Sequence, residues 1–321
     1  MKAIRVEATG GPEALQLLDV DDPEPADGQV RVRVEAAGLN FIDINHRKGA
    51  YPIDMPTGIG QEGAGVVDAI GAGVTDVAVG DRVAWTGQMG SYAELFCLPA
   101  DRVVQVPAEI DLKVAAAVML QGMTAHYLIT DTFPLNVGHS ALMHAGAGGV
   151  GQLLIQLSKR AGARVLTTVS TPEKAALARA AGADDVINYS EVDFAEEVRQ
   201  LVPGGVDVAY DSVGKDTFDR SMQCLRPRGS MVLFGQASGP VGPVDPRRLA
   251  AGGSLFLTRP LLEHHVATRE ELRGRARELF DLIQQDQLKV RLDRTFSLAE
   301  AADAHIYMEQ RRTHGKVLLL P

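Results

Sequence analysis

The glycine-rich segment between residues 140 and 170 constrains the fold more than any other part of the chain. An apolar run, Ala141 to His144, leads into a turn in which Gly146, Gly148 and Gly151 fit the pattern G-x-G-x-x-G. Apolar residues then recur at helical spacing for two turns, and a second apolar run ends at Val169. The sequence therefore predicts a strand, a tight turn, a helix and a second strand, which is the opening unit of a doubly wound sheet.

The predicted turn has the chemistry of a dinucleotide site. Glycines let the backbone approach a pyrophosphate, whose charge is stabilised by the unpaired amides at the start of the helix. Gly149 and Val150 complete the turn. The motif alone is common, so its flanking strands and helix carry the prediction. The alternative is a strand-to-helix turn that binds nothing.

The end of the second predicted strand indicates which dinucleotide binds. NAD sites usually place a carboxylate there, about 20 residues beyond the glycines, to bind the ribose hydroxyls. This chain instead has Ser170 and Thr171, and Lys174 follows in the next helix. Two hydroxyls and a cation suit a ribose 2′-phosphate, so the sequence predicts NADPH as the cofactor. Glu173 fits this interpretation only if its carboxylate points away from the phosphate.

The remaining predicted strands extend the same sheet. Six strands separated by crossovers follow from Ala141 to Thr258, and ligands of such sheets lie at the carboxyl ends of the strands. The cofactor residues predicted at or beside those ends, besides Ser170 and Thr171, are Tyr189, Ser212, Phe234, Gly235, Gln236 and Leu257.

The first third of the chain reads differently. Val30, Val32 and Val34 alternate with charged residues, and short strands separated by glycine turns follow, which favours a barrel-like domain. The apolar run Lys316 to Leu320 needs a sheet to join, and the first domain is the expected host. We therefore expect a mainly-β domain formed by residues 1–121 and 262–321, with an inserted α/β domain, residues 122–261.

Composition excludes several classes of protein. The chain of 321 residues is 45% hydrophobic and carries a formal net charge of −9, which argues against nucleic acid as a main partner. It has only two cysteines, and it has neither an apolar signal core nor a membrane-length apolar run. We expect a cytoplasmic protein without a membrane partner.

Several segments together resemble one known family. They include AAGLNFIDI from Ala36, KGAYP from Lys48 and HAGAGGVGQLL from His144. In order and spacing the chain resembles, along essentially its whole length, the zinc-independent NADPH:quinone oxidoreductases of the medium-chain dehydrogenase/reductase superfamily, the group that includes zeta-crystallin. The resemblance implies a Rossmann domain, a GroES-like catalytic domain, a small-molecule quinone as substrate, and a homodimer. The apolar predicted strand at 254–258 would lie at a sheet edge, where a second subunit can pair.

The resemblance also assigns roles to individual residues. Asn40, Phe41 and Ile42 would contact the nicotinamide end, Asn40 and Tyr51 being the catalytic candidates. Thr124 would lie near the diphosphate or the nicotinamide ribose. Ser170, Lys174, Tyr189 and Arg311 would bind the adenine-ribose phosphate. Where bacterial relatives carry a tyrosine this chain has Asn45, which alters the expected quinone pocket.

The same comparison predicts that no metal is bound. Zinc-dependent relatives use a cysteine at the position of Asn40 and a histidine at that of Gln61. Amides are poor zinc ligands, and Cys97 and Cys224 alone cannot build a four-cysteine site.

Two alternatives remain open from the sequence. The first is an NADPH-dependent reductase of enoyl thioesters or 2-alkenals, in which Tyr51 protonates the α-carbon. The second is a crystallin-like protein that binds NADPH, or RNA, in a structural or regulatory role.

Overall fold

The computed structural model describes residues 1–321, and the chain forms two compact units. Unit 1 consists of Met1–Met123 and Val266–Pro321, and unit 2 consists of Thr124–His265. Unit 2 is thus inserted into the sequence of unit 1.

Unit 1 is mainly β structure. Its strands are β1 Lys2–Val6, β2 Gln16–Asp19, β3 Gln29–Gly38, β4 Thr57–Gly58, β5 Glu62–Ile70, β6 Arg82–Thr86, β7 Leu95–Pro99 and β8 Val103–Gln105, with β15 Leu292–Ser297 and β16 Lys316–Leu320 from the last part of the chain. Its helices are α1 Phe41–Arg47, α2 Leu112–Tyr127, which runs on into unit 2, α8 Arg269–Gln284 and α9 Ala301–Glu309.

The strands of unit 1 form two sheets. The small sheet has the order β2-β1-β4, and the large one has the order β15-β16-β3-β5-β6-β8, with β7 also paired to β3. The expected alternation appears in β3, where Val30, Val32 and Val34 are buried. As expected, β16 joins this sheet, antiparallel to β3 and parallel to β15. Glycine permits close strand packing, since a Cβ at Gly65 would lie 2.0 Å from the carbonyl oxygen of Arg33.

Unit 2 contains a six-stranded sheet in which every pair of strands is parallel. Its strands are β9 Ser140–His144, β10 Arg164–Val169, β11 Asp185–Asn188, β12 Val206–Asp211, β13 Leu225–Leu233 and β14 Phe256–Thr258. Its helices are α3 Gly149–Arg160, α4 Pro172–Ala180, α5 Phe194–Leu201, α6 Phe218–Gln223 and α7 Arg247–Ala251. The strand order is β11-β10-β9-β12-β13-β14, so the order reverses between β9 and β12 and confirms the predicted doubly wound sheet.

The longest apolar helical stretch belongs to the protein core. The chain has no unbroken apolar run of membrane length, but the helical stretch Leu112–Thr132, which includes polar residues, is long and apolar enough to cross a membrane by length and composition. However, 78% of its most apolar window is buried inside the structure. Such burial is typical of a core helix.

Candidate active site

The glycine turn of unit 2 fits a dinucleotide. It joins β9 to α3, whose N-cap is Gly148 and whose first turn has no side-chain cap. A Cβ at Gly146 would lie 2.2 Å from Oγ1 of Thr167, and one at Gly151 would lie 2.3 Å from the carbonyl oxygen of Ala145. The turn is therefore packed too closely for any side chain at these two positions, and its open helix start can receive a pyrophosphate.

Residues predicted for the ribose phosphate meet at the ends of β10 and β11. The Tyr189 amide donates to the carbonyl of Val169 at 3.0 Å, which brings the ends of the two strands together. The Thr171 hydroxyl accepts a hydrogen bond from the Lys174 amide at 3.3 Å and so caps α4. Ser170 is half-buried, whereas 43% of Tyr189 is exposed. The structure thus groups a hydroxyl, a lysine and an exposed aromatic ring at one edge of the sheet.

A second group of predicted residues meets at the ends of β12 and β13. The Phe234 amide donates to the carbonyl of Asp211 at 2.9 Å, and a Cβ at Gly235 would lie 2.5 Å from the carbonyl oxygen of Ser212. Gln236 continues this turn. Leu257 is the penultimate residue of β14, opposite Met231 of β13, and so lies beside the end of that strand.

A buried histidine that the sequence analysis did not identify lies just before the glycine turn. Nδ1 of His144 is 2.8 Å from Oγ1 of Thr168, and its Nε2 is 2.7 Å from Oγ of Ser221. Burial lowers the pKa of His144, so the ring is neutral. Both nitrogens have partners, and the histidine therefore fastens α6 to the sheet.

In unit 1, the segment that resembles the nicotinamide site forms α1, a helix that the sequence analysis did not predict. Asn40 is the N-cap of this helix, and the backbone amide of Asn40 donates to Oδ2 of Asp43 at 2.8 Å. Phe41 is 38% exposed and Ile42 is half-buried. The short polar residues that favour an N-cap are present, but seven residues give little helical periodicity to detect.

The side chain of Asn40 belongs to a buried polar network. Its Nδ2 donates to Oε1 of Glu62 at 2.6 Å, and its Oδ1 accepts from Nε2 of Gln121 at 3.2 Å and from Nζ of Lys316 at 2.9 Å. Lys316 also forms a buried ion pair with Glu62, whose other oxygen accepts the Leu120 amide at 2.7 Å. Three elements distant in sequence are thus joined through one asparagine.

A second buried carboxyl lies next to this network. Asp43 is fully buried and accepts the Tyr92 hydroxyl at 2.9 Å. Burial raises the pKa of Asp43 to about 7, although its hydrogen bonds from Asn40 and Tyr92 and the charge of Lys316 oppose the shift. The carboxyl is therefore partly protonated near neutral pH.

The other catalytic candidate, Tyr51, lies beside a histidine. Its carbonyl oxygen is 3.3 Å from Nδ1 of His46, and the two rings meet edge to face with centroids 5.8 Å apart. Nε2 of the same histidine is 2.9 Å from Nε2 of Gln61. His46 is buried, whereas Tyr51 and Gln61 are half-buried. Within unit 1 the structure therefore collects Asn40, Gln61 and Tyr51 around α1.

The last two predicted cofactor residues occupy other parts of the chain. Thr124 is buried within α2 and is the first residue of unit 2. Arg311 follows α9 in unit 1, is exposed, and has a positive φ of 57°. Their predicted contacts with the cofactor stay predictions.

The residues present do not fit a zinc ion. No group of three or more histidine, cysteine, aspartate or glutamate side chains could hold a metal. Both side-chain atoms of Asn40 are engaged, and the Oδ1 that could approach a cation already accepts from the ammonium of Lys316. With a further bond from Gln121, the Oδ1 of Asn40 has both of its acceptor sites in use and is not available to a metal.

Comparison with known proteins identifies the family. The chain is 47% identical to a quinone oxidoreductase of Pseudomonas aeruginosa over 100% of its own length and 99% of that protein. The chain belongs to the quinone oxidoreductase family of the medium-chain dehydrogenase/reductases. Family models agree, since residues 26–108 match an alcohol dehydrogenase GroES-like domain and residues 181–319 match a zinc-binding dehydrogenase.

Two further similar proteins bear on the fold and on the reaction. The Escherichia coli quinone oxidoreductase, solved in complex with NADPH, is 40% identical, with a TM-score of 0.98 over 100% of both chains. A 2-haloacrylate reductase of a Burkholderia species is 43% identical over 97% of this chain and 96% of that protein. These matches confirm the predicted fold class, a Rossmann domain combined with a GroES-like domain.

Proposed function

We propose that this protein is an NADPH-dependent quinone oxidoreductase that works without a metal. The observation that carries the proposal is the full-length similarity, at 47% identity, to a protein named quinone oxidoreductase. The site geometry supports it, because the glycine turn is shaped for a dinucleotide and the residues of unit 1 do not fit zinc.

NADPH is the proposed cofactor for two reasons. The similar Escherichia coli structure contains NADPH. Here Ser170, Lys174 and Tyr189 gather at neighbouring strand ends, where NAD-dependent enzymes place a carboxylate. A lysine with adjacent hydroxyl groups can bind the 2′-phosphate.

The proposed reaction needs little acid–base help from the protein. Bound NADPH supplies a hydride, that is, two electrons and one proton, and a second proton completes the hydroquinone. The electron-poor quinone makes positioning the main contribution of the protein. Asn40 holds the start of α1 in place, and water can supply the second proton.

Steady-state NADPH oxidation by chelator-treated protein tests this proposal. An ortho-quinone, a para-quinone, a 2-alkenal and an enoyl thioester are compared, each with NADPH and with NADH. We expect quinone-dependent oxidation that survives the chelator and prefers NADPH. Loss of activity on chelation contradicts metal independence, and equal rates with NADH contradict the role of Lys174.

Reduction of an activated C=C bond is the second activity to test. The observation that favours it is the 43% identity to a 2-haloacrylate reductase. If only the alkenal or the thioester is reduced, quinone reduction is the wrong assignment and Tyr51 becomes the candidate proton donor. Turnover that is unchanged in Tyr51→Phe would then count against protonation by the phenol.

The proposal extends to assembly and location. We propose a homodimer formed through the edge strand β14, on which 63% of Phe256 is exposed. We also propose a cytoplasmic location, and no nucleic-acid or membrane partner, from the acidic charge and the few cysteines.

A further inference from the structure

We propose that His46 is a positioning residue that fixes the orientation of the Gln61 carboxamide, and that this carboxamide contacts a carbonyl oxygen of the quinone. The inference rests on the proposed function and adds a substrate contact to it. It follows from hydrogen-bond donors and acceptors that can be assigned one after another, beginning with the backbone carbonyl of Tyr51.

The first assignment is the tautomer of His46. Nδ1 lies 3.3 Å from the carbonyl oxygen of Tyr51, and a carbonyl oxygen can only accept. Nδ1 must therefore carry the hydrogen. Burial lowers the pKa of His46, so the ring is neutral at neutral pH and its Nε2 has no hydrogen.

The second assignment is the orientation of Gln61. Since Nε2 of His46 can only accept, the amide atom 2.9 Å away must be the nitrogen of the carboxamide. One amide hydrogen is used in this bond. The second amide hydrogen and Oε1 are left for another partner, and Gln61 is half-buried, so its carboxamide is open to a ligand.

The backbone of Gln61 is held as firmly as its side chain. The preceding Gly60 has a φ of +93°, and a Cβ there would lie 2.2 Å from the ring of Tyr92. The following Glu62 is bound to Asn40 and Lys316. The Gln61 carboxamide therefore has little freedom to move away from the residues predicted for the reacting end.

This arrangement suits the chemistry of quinone reduction. Hydride addition to the ring leaves negative charge on a quinone oxygen. An oriented N–H donor stabilises such charge without the cost of reorganisation during the reaction. Gln61 would provide this donor where the zinc-dependent relatives have a metal ligand.

The test is a double-mutant cycle with His46→Phe and Gln61→Leu. Phenylalanine retains the edge-to-face contact with Tyr51 and removes both ring nitrogens. We expect each single variant to lower kcat/KM for the quinone about tenfold. The double variant should be no worse than either single variant, because both act through one amide. The Kd for NADPH should stay within about twofold of wild type, since the cofactor contacts do not change.

Controls separate this role from a structural one. His264→Phe, on an exposed turn of unit 2, provides a matched substitution that should leave kcat/KM unchanged. Nitrogen-15 NMR of the wild-type imidazoles reads the tautomer directly and needs no variant. We expect His46 to carry its hydrogen on Nδ1, and a hydrogen on Nε2 overturns the assignment.

The remaining outcomes are also decisive. Additive losses in the double variant, or single variants as active as wild type, overturn the inference while the proposed function stands. A wild-type protein that binds NADPH but reduces no quinone overturns both the function and the substrate contact.

Discussion

The ion pair between Lys316 and Glu62 shows how much depends on single residues in unit 1. Both side chains are buried, with exposed fractions of 1% and 0%. A buried pair adds little net stability, but removing one partner leaves a charge that water cannot reach. Asn40 depends on both residues for its orientation.

We therefore expect Lys316→Met to lower the free energy of unfolding by about 3 to 5 kcal/mol, as measured by urea denaturation. The double variant Lys316→Met/Glu62→Gln removes the unpaired charge and should recover at least about 1 kcal/mol of this loss. A double variant less stable than Lys316→Met would contradict the electrostatic explanation.

Asp43 predicts a pH dependence of stability. Its pKa rises from the ordinary 3.8 to about 7 in the folded protein, so between these values the folded state holds a proton that the unfolded state has lost. The contribution of Asp43 to stability is therefore full below pH 4 and decreases as the pH rises towards 7, by at most a few kcal/mol.

Asp43→Asn should remove this dependence while keeping an acceptor for Asn40 and Tyr92. Unfolding free energies measured from pH 4 to pH 8 should decrease less steeply in the variant than in the wild type. Identical slopes would show that Asp43 titrates normally.

The sequence predicted some of these residues and missed others. The glycine motif predicts the backbone turn, because glycine is required there by contacts within and beside the turn itself. Neither the Lys316–Glu62 pair nor the His46–Gln61 bond could be predicted, since the partners are brought together only by the sheet and by α1. The predicted strand 254–258 and β14 end at the same residue, so Leu257 lies beside the strand end, and its contact with the cofactor stays a prediction.

At the level of elements, the turn before α3 depends on the absence of a side chain. In Gly151→Ala the new Cβ would lie 2.3 Å from a backbone carbonyl, which cannot move without displacing the turn. We expect the Kd for NADPH to rise at least about tenfold, as measured by fluorescence titration. Gly204→Ala is the matched control, because no atom lies within 4 Å of its Cβ position.

Two helical glycines should respond to alanine with opposite signs. No atom lies near a Cβ at Gly274 in α8, so alanine there should stabilise the protein by about 0.5 to 1 kcal/mol. At Gly122 in α2 the Cβ would lie 2.5 Å from Val118 and 3.2 Å from Leu279 of α8, so alanine should destabilise it. Thermal melting of both variants distinguishes the two cases, and equal shifts would contradict the packing of α2 on α8.

The helices and strands were predicted best where their periodicity is long. A capping box of Thr268 and Glu271 starts α8. The alternation of β3 is clear from Gln29 to Ala36. The seven-residue α1 was not predicted, because it depends on packing in unit 1 and has too few turns to show a pattern.

At the scale of the whole molecule, the edge strand β14 predicts the oligomeric state. Phe256 is 63% exposed there, although phenylalanine is usually buried. We expect Phe256→Glu to convert a dimer into a monomer, as measured by light scattering at several concentrations. A wild-type monomer contradicts the proposed dimer, and a dimeric variant places the interface elsewhere.

The position of β16 sets the order in which the molecule can be completed. This strand lies between β15 and β3, yet it is synthesised after nearly all of the chain. On the ribosome, the first 123 residues therefore wait with Ala37 and Gly38 of β3 unpaired on the side that β16 later occupies. Unit 2, continuous in sequence, can fold as soon as it emerges. The unit that is begun first is finished last, and until β16 arrives the C-terminal end of β3, beyond its pairing with β7, keeps backbone groups that another chain could pair with.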